Sequence, residues 1–166
     1  MYRLITDFLA DFKYESENTI KLLENLTNES LNKPQHENIR TIGFSAWHIV
    51  FSLGEMMKTA GIEIAMPAQH EDHPKNTKEF VDWYKKSSQS LITELPKHWH
   101  DENLDEKINM YGEQWKKGIV LSVILMHQCH HRGQLTILMR LAGLKIHGIY
   151  GPAKEEWQAM NLPPMK

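Results

Sequence analysis

Along four long stretches of this chain, apolar residues recur at intervals of three or four, and no convincing series of strands accompanies them. That helical periodicity decides the fold class. Between Tyr2 and about Leu26 the stripe is Leu4, Phe8, Phe12, Ile20, Leu23 and Leu26. A second helix is expected from about Thr41 to Ala60, with Phe44, His48, Phe51 and Met56 loosely on one side and Gly61 as its stop. A third opens at Asn76, which with Glu79 has the form of a capping box; it carries Phe80, Trp83, Tyr84, Leu91 and Leu95 and is expected to end at Pro96. The fourth runs from about Gly118 to Leu141, with Gly143 as its cap.

Four amphipathic helices in 166 residues predict one all-α domain spanning 1–166, a four-helix bundle. The connections are long enough for crossovers. "TNESLNKPQHENIR" reads as a connection with one short turn, and "MPAQHEDHPKN" as a proline-rich loop. "HWHDENLDEKINMYGEQWKKG" has no helical period and reads as an extended loop or a small hairpin turning at Tyr111-Gly112. In the tail, Pro152, Glu155 and Glu156 suggest one short helix.

Composition narrows the function classes. A net charge of -2 provides no basic field for gripping nucleic acid. Cys129 is the only cysteine, so neither an intramolecular disulfide nor a four-cysteine zinc site can form, which fits a reducing compartment. The start "MYRLITDFLADFKYESE" lacks the basic and apolar regions of a signal peptide, and no run approaches the ~20 apolar residues of a membrane span. The expected location is the cytoplasm.

The chemistry is concentrated in "HQCHHRGQL", residues 127–135. On a helix, His127 and His131 lie about 40° apart and about 6 Å along the axis, close enough to share a ligand. Val120, Ile124, Leu135 and Leu138 point the same way, so the pair is expected in the middle of the core-facing stripe. His130 lies about 100° away from His131, Cys129 points nearly opposite, and neither is expected in the same site. Buried imidazoles need partners, either a metal or neighbouring carbonyls and hydroxyls, and spacing alone leaves the two readings even. His48, mid-way along the second helix between Phe44 and Phe51, tips the balance: three nitrogens and an open position are what catalytic metal sites use.

Other residues are weaker candidates. Gln128 occupies the place that the general-base glutamate takes in HExxH zinc proteases, and glutamine cannot abstract a proton. Glu55 is two turns from His48, about 10 Å, which suits second-layer support or an inter-helix ion pair. Arg132 and Gln134 could line a pocket mouth, although a solvated side chain is the simpler reading of Arg132. His70 and His73, with Glu71 and Asp72, read as a polar loop in preference to a surface metal cluster.

Taken together, "AWHIVFSLGEM", "LMHQCHHRGQLTILMRLAG" and "HGIYGPAKEEW" resemble the DinB-like, or DinB/YfiT-like, metal-binding four-helix bundles, over essentially the whole chain. The resemblance implies His48, His127 and His131 as metal ligands, the same three that helix geometry selects. It also implies a bundle with a long crossover connection and a short C-terminal helix or tail, a divalent ion (nickel or zinc) and a homodimer. The family name records induction after DNA damage in some members and implies no polymerase. Characterised relatives include thiol-dependent S-transferases and a mycothiol-dependent isomerase, and others are described as metal-dependent hydrolases.

The expected function is that of a metal-dependent transferase that activates a low-molecular-weight thiol toward a small electrophilic substrate. The region around Trp115 and the tail around Tyr150 are reasonable pocket walls. The alternative is a hydrolase using metal-bound water, for which Glu55 and His130 are the nearest proton-transfer candidates by sequence. A non-catalytic, stress-associated metal protein is the third reading. No nucleic-acid or membrane partner is expected.

Overall fold

A computed structural model describes residues 1–70 and 72–163. Glu71, grouped above with His70, and the last residues of the tail lie outside them. The chain forms α1 (Ile5–Glu24), α2 (Ile42–Thr59), α3 (Thr77–His98), a hairpin of β1 (Lys107–Met110) and β2 (Glu113–Lys116), and α4 (Lys117–Leu141). Among the described residues no helix is long and apolar enough to cross a membrane.

Local chemistry explains most boundaries. Thr41 caps α2 by accepting from Phe44 N–H at 3.1 Å, and Asn76 caps α3 by accepting from Lys78 N–H at 3.0 Å. Both α2 and α4 end in a left-handed glycine, Gly61 (φ 84°) and Gly143 (φ 80°). In each, the next two amides close back on the last turn: Gly61 N–H to Lys58 and Ile62 N–H to Met57, Gly143 N–H to Arg140 and Leu144 N–H to Met139.

Pro96 does not end α3, contrary to expectation; the helix runs on to His98 with the proline inside it. Proline removes one amide donor, but Trp99 N–H still reaches Leu95 C=O at 2.9 Å, and both residues are buried, so packing holds the final turn. The "INMYGEQW" stretch is the small hairpin. Tyr111 (φ 55°) and Gly112 (φ 90°) supply the two positive φ angles of a tight two-residue turn, with Met110 opposite Glu113. The tail is irregular apart from a short 3₁₀ turn at Gln158–Met160.

Each helix packs against two others: α1 against α3 and α4, and α2 against α3 and α4. Consecutive helices α1 and α2 therefore occupy opposite corners, as do α3 and α4, and the chain crosses the bundle in the α1–α2 and α3–α4 connections. One apolar cluster fills the centre, with Phe8, Phe12, Leu22, Ile49, Leu53, Phe80 and Leu121 fully buried in it. This arrangement puts α2 beside α4, the two helices that carry the candidate histidines.

Candidate metal centre

Beyond Gly118 in its first turn, the stripe that α4 buries is Val120, Leu121, Ile124, Leu125, Gln128, Arg132, Leu135, Leu138 and Met139. On a helical wheel these cover an arc of about 140° with Gln128 near its centre, and His127 and His131 fall at its edge. The structure thus corrects the expectation that the histidine pair occupies the middle of the core face. Both are half-buried, as is His48 on the facing helix. An edge position keeps one ring edge within the protein and the other within reach of a ligand.

His48, His127 and His131 come together. His48 Nε2 lies 3.1 Å from His131 Nε2, which lies 3.2 Å from His127 Nε2, and the three ligand atoms all fall within 4.8 Å of one another. Metal–nitrogen bonds of about 2.0–2.1 Å set nitrogens about 3.3 Å apart around a tetrahedral ion, so the group needs little adjustment to hold one. Among the described residues no Asp, Glu or Cys adds a fourth ligand atom to the group.

The outer ring nitrogens are held in turn. His131 Nδ1 is 2.8 Å from Gln134 Oε1, and His48 Nδ1 is 3.0 Å from His70 Nε2. With Nδ1–H donating in both cases, each Nε2 is left as a free lone pair aimed at the common point. Nδ1 of His127 is buried without a hydrogen-bond partner among the described residues.

His70 was assigned above to a plain polar loop; instead its ring packs edge-on to Phe44 (5.1 Å between centroids) and tilted over Phe51 (4.9 Å). The loop can lie this close because α2 presents glycines beneath it. A Cβ on Gly54 would overlap the Met66 side chain, and one on Gly43 would overlap His73. Trp47 Nε1–H fastens the same loop by donating to Gln69 C=O at 3.0 Å.

Burial lowers the pKa of His48 to about 4, with His131 and His127 as the next causes. Burial does the same to His127, again to about 4, helped by His131 and His130. His131 is also lowered by burial, against the raising effect of its Gln134 bond. All three are therefore neutral at pH 7, the state in which imidazole ligates a metal. Arg40 adds to the lowering at His48 and His131, which places its positive charge within electrostatic reach of the centre.

The remaining candidates lie elsewhere. Among the described residues Glu55 neither bonds the histidines of the centre nor forms an ion pair; its Oε2 accepts from Tyr111 OH at 2.7 Å, joining α2 to the hairpin. His130 is exposed, and His73 bonds Pro74 C=O and Asn32. Trp115 donates to Glu113 and packs on Tyr111.

Arg132 is not a solvated side chain. It is 1% exposed, donates to Glu15 C=O at 2.7 Å and to Thr19 Oγ1 at 3.1 Å, and forms an ion pair with the Glu15 carboxylate. Tyr150 joins that pair and Cys129, so the tail closes over this second polar cluster at Tyr150. Gln128, also 1% exposed, accepts from Tyr84 OH at 3.2 Å and donates to Ile49 C=O at 3.1 Å, tying α4 to α3 and α2 through the core.

Comparison with known proteins agrees with this architecture. The uncharacterized protein YrdA of Bacillus subtilis (strain 168) is 38% identical over 166 residues, covering 100% of this chain and 99% of its own length. The crystal structure of a DinB-like protein from Bacillus cereus ATCC 10987 superposes with a TM-score of 0.85 at 35% identity, over 90% of this chain and 100% of that one. A second DinB-like protein, YjoA of Bacillus subtilis, shares the fold, with a TM-score of 0.66 at 18% identity over 89% of this chain and 99% of that one. The DinB family model matches residues 1–164, and the chain belongs to the DinB family.

Proposed function

We propose that His48, His127 and His131 hold one divalent metal ion, nickel or zinc, and that the protein is a transferase joining a low-molecular-weight thiol to a small electrophile. The observation that carries this reading is the convergence of three Nε2 atoms from two helices with no fourth described ligand beside them. Structural metal sites are closed by four protein ligands, whereas catalytic ones keep a position open. When bound, such an ion lowers the pKa of a thiol or water in its open position.

The chain's own residues supply the rest. His70 and Gln134 fix the tautomers of His48 and His131, with Phe44 stacked on His48 and Phe51 packed against His70. A thiol brings its own nucleophile, so the protein need not provide one. Hydrolysis asks for a nearby proton acceptor, and Glu55, the carboxylate considered for that role, is engaged with Tyr111.

Metal analysis of tag-free protein and of the His48→Ala, His127→Ala and His131→Ala variants tests the centre. About one ion per chain, lost in each variant, is the expected result. The nickel- and zinc-loaded protein is then mixed with glutathione or cysteine and a chloronitrobenzene. Thiol-dependent product supports the transferase; ester cleavage without thiol supports the hydrolase. A folded, metal-loaded protein with neither activity supports the non-catalytic role.

A further inference from the structure

A concavity adjoins the histidine centre and shares Gln134 with it. It encloses about 390 Å³ between the segment leading into α2 and the second half of α4. Small-molecule pockets begin at about 300 Å³ and combine apolar walls with a few placed polar groups. Its lining has that composition: Ile39, Ile137 and Leu138 are apolar, and Arg40 and Gln134 are polar.

Two of its residues connect it to the centre. Gln134 is the side chain that bonds His131 Nδ1. Arg40 lies with its guanidinium carbon 4.1 Å above the Phe44 ring, and Phe44 in turn stacks on His48 at 6.4 Å with an interplanar angle of 9°. A guanidinium held against an aromatic face keeps its edge free to meet a carboxylate in two parallel hydrogen bonds. No ion pair among the described residues includes Arg40.

The apolar side is unusually open. Ile137 is 59% exposed and Ile39 is 46% exposed, and the two line one concavity from different segments of the chain. Isolated exposed apolar side chains are ordinary, but two that line one cavity beside a cation with no ion-pair partner among the described residues suit a ligand with one apolar and one anionic end.

We propose that this cavity is the substrate subsite, and that it takes a small amphipathic carboxylate whose chain lies between Ile39 and Ile137 and whose carboxylate meets Arg40. That the occupant is a substrate rests on the catalytic reading of the three-histidine centre. The binding itself does not.

The test uses the full-length, metal-free protein with hexanoate as the probe and hexanamide as its neutral counterpart, followed through the isoleucine methyl resonances. Hexanoate is expected to shift the Ile39 and Ile137 methyl signals saturably and to bind about tenfold more tightly than hexanamide. Arg40→Gln should remove that difference, and Ile137→Glu should abolish hexanoate binding. Arg40 and Ile137 are exposed, so both variants should keep the native circular dichroism spectrum.

Equal binding of the two probes, or hexanoate affinity unchanged in Arg40→Gln, would overturn the subsite. So would binding that appears only in the zinc-loaded protein and disappears in His131→Ala, because the carboxylate would then be on the metal. Hexanoate bound at Arg40 in a chain that takes up no metal would leave the subsite standing and remove the catalytic reading of the centre.

Discussion

Nδ1 of His48 lies 3.0 Å from Nε2 of His70, a residue from the irregular connection between α2 and α3. The contact orients the His48 ring without His70 joining the three-nitrogen group. Partners of this kind are worth about 10- to 100-fold in metal affinity. His70→Ala should therefore weaken zinc binding by about that factor while leaving the stoichiometry intact, as read by competition with a chromophoric chelator. His70→Gln, which can still accept from Nδ1–H, should recover most of the loss. An affinity unchanged in His70→Ala would show that the contact does not hold the ligand.

The difference between His70 and the other three histidines shows what a one-dimensional reading can reach. His127 and His131 are four residues apart on one helix, and His48 lies mid-way along another, so helical periodicity alone nominates them. His70 is placed by a loop with no period. The signal that could have found it is indirect: small residues at Gly43 and Gly54 on a helix otherwise rich in large side chains mark where another segment comes close. The burial of Arg132 is hidden from periodicity for a different reason. The buried arc of α4 is centred about 45° from the stripe of Val120, Ile124, Leu135 and Leu138, because Leu121, Leu125 and, in spite of their polarity, Gln128 and Arg132 are buried too. Each is buried because its partners, Tyr84 and Ile49 for Gln128 and Glu15 for Arg132, come from other helices.

The lowered pKa values set a pH dependence. His48 and His127 titrate at about 4 in the metal-free fold, against an unfolded value of about 6.5. Between these limits the unfolded chain binds protons that the fold refuses, so the stability of the metal-free protein falls as pH drops from about 6.5 to about 4. For the same reason zinc affinity should fall by no more than about tenfold from about pH 7.5 to about 5.5, since His48 and His127 stay neutral over that range and His131 is itself lowered. Three unshifted histidines would lose about a thousandfold over that range. Denaturant titrations of the metal-free protein and zinc competition at both pH values measure the two effects. A thousandfold loss of zinc affinity would contradict the lowered values.

Gln128 can be tested as a structural residue in its own right. Gln128→Glu restores the HExxH pattern of zinc proteases, but here the position points into the core. The substitution removes the donor to Ile49 C=O and puts a carboxylate where both polar atoms of the amide had a partner. A loss of roughly 1–3 kcal/mol of stability is expected, with no gain of hydrolytic activity. Peptide or ester cleavage gained by Gln128→Glu would mean that the side chain can reach the histidine centre after all.

Arg132 and Glu15 join α4 to α1 through a pair that is almost wholly withdrawn from water, with side-chain exposures of 2% and 12%. Breaking such a pair from one side leaves the other charge buried and uncompensated, which costs roughly 3–5 kcal/mol. Arg132→Met should destabilise the fold by about that amount in urea titrations, and adding Glu15→Gln should return part of it, because the stranded carboxylate is then gone. Zinc stoichiometry should be the same in both variants under conditions where they remain folded, since Arg132 makes no contact with the three histidines among its hydrogen bonds. A double variant less stable than Arg132→Met would mean that Glu15 holds α1 through Tyr150 more strongly than through the guanidinium.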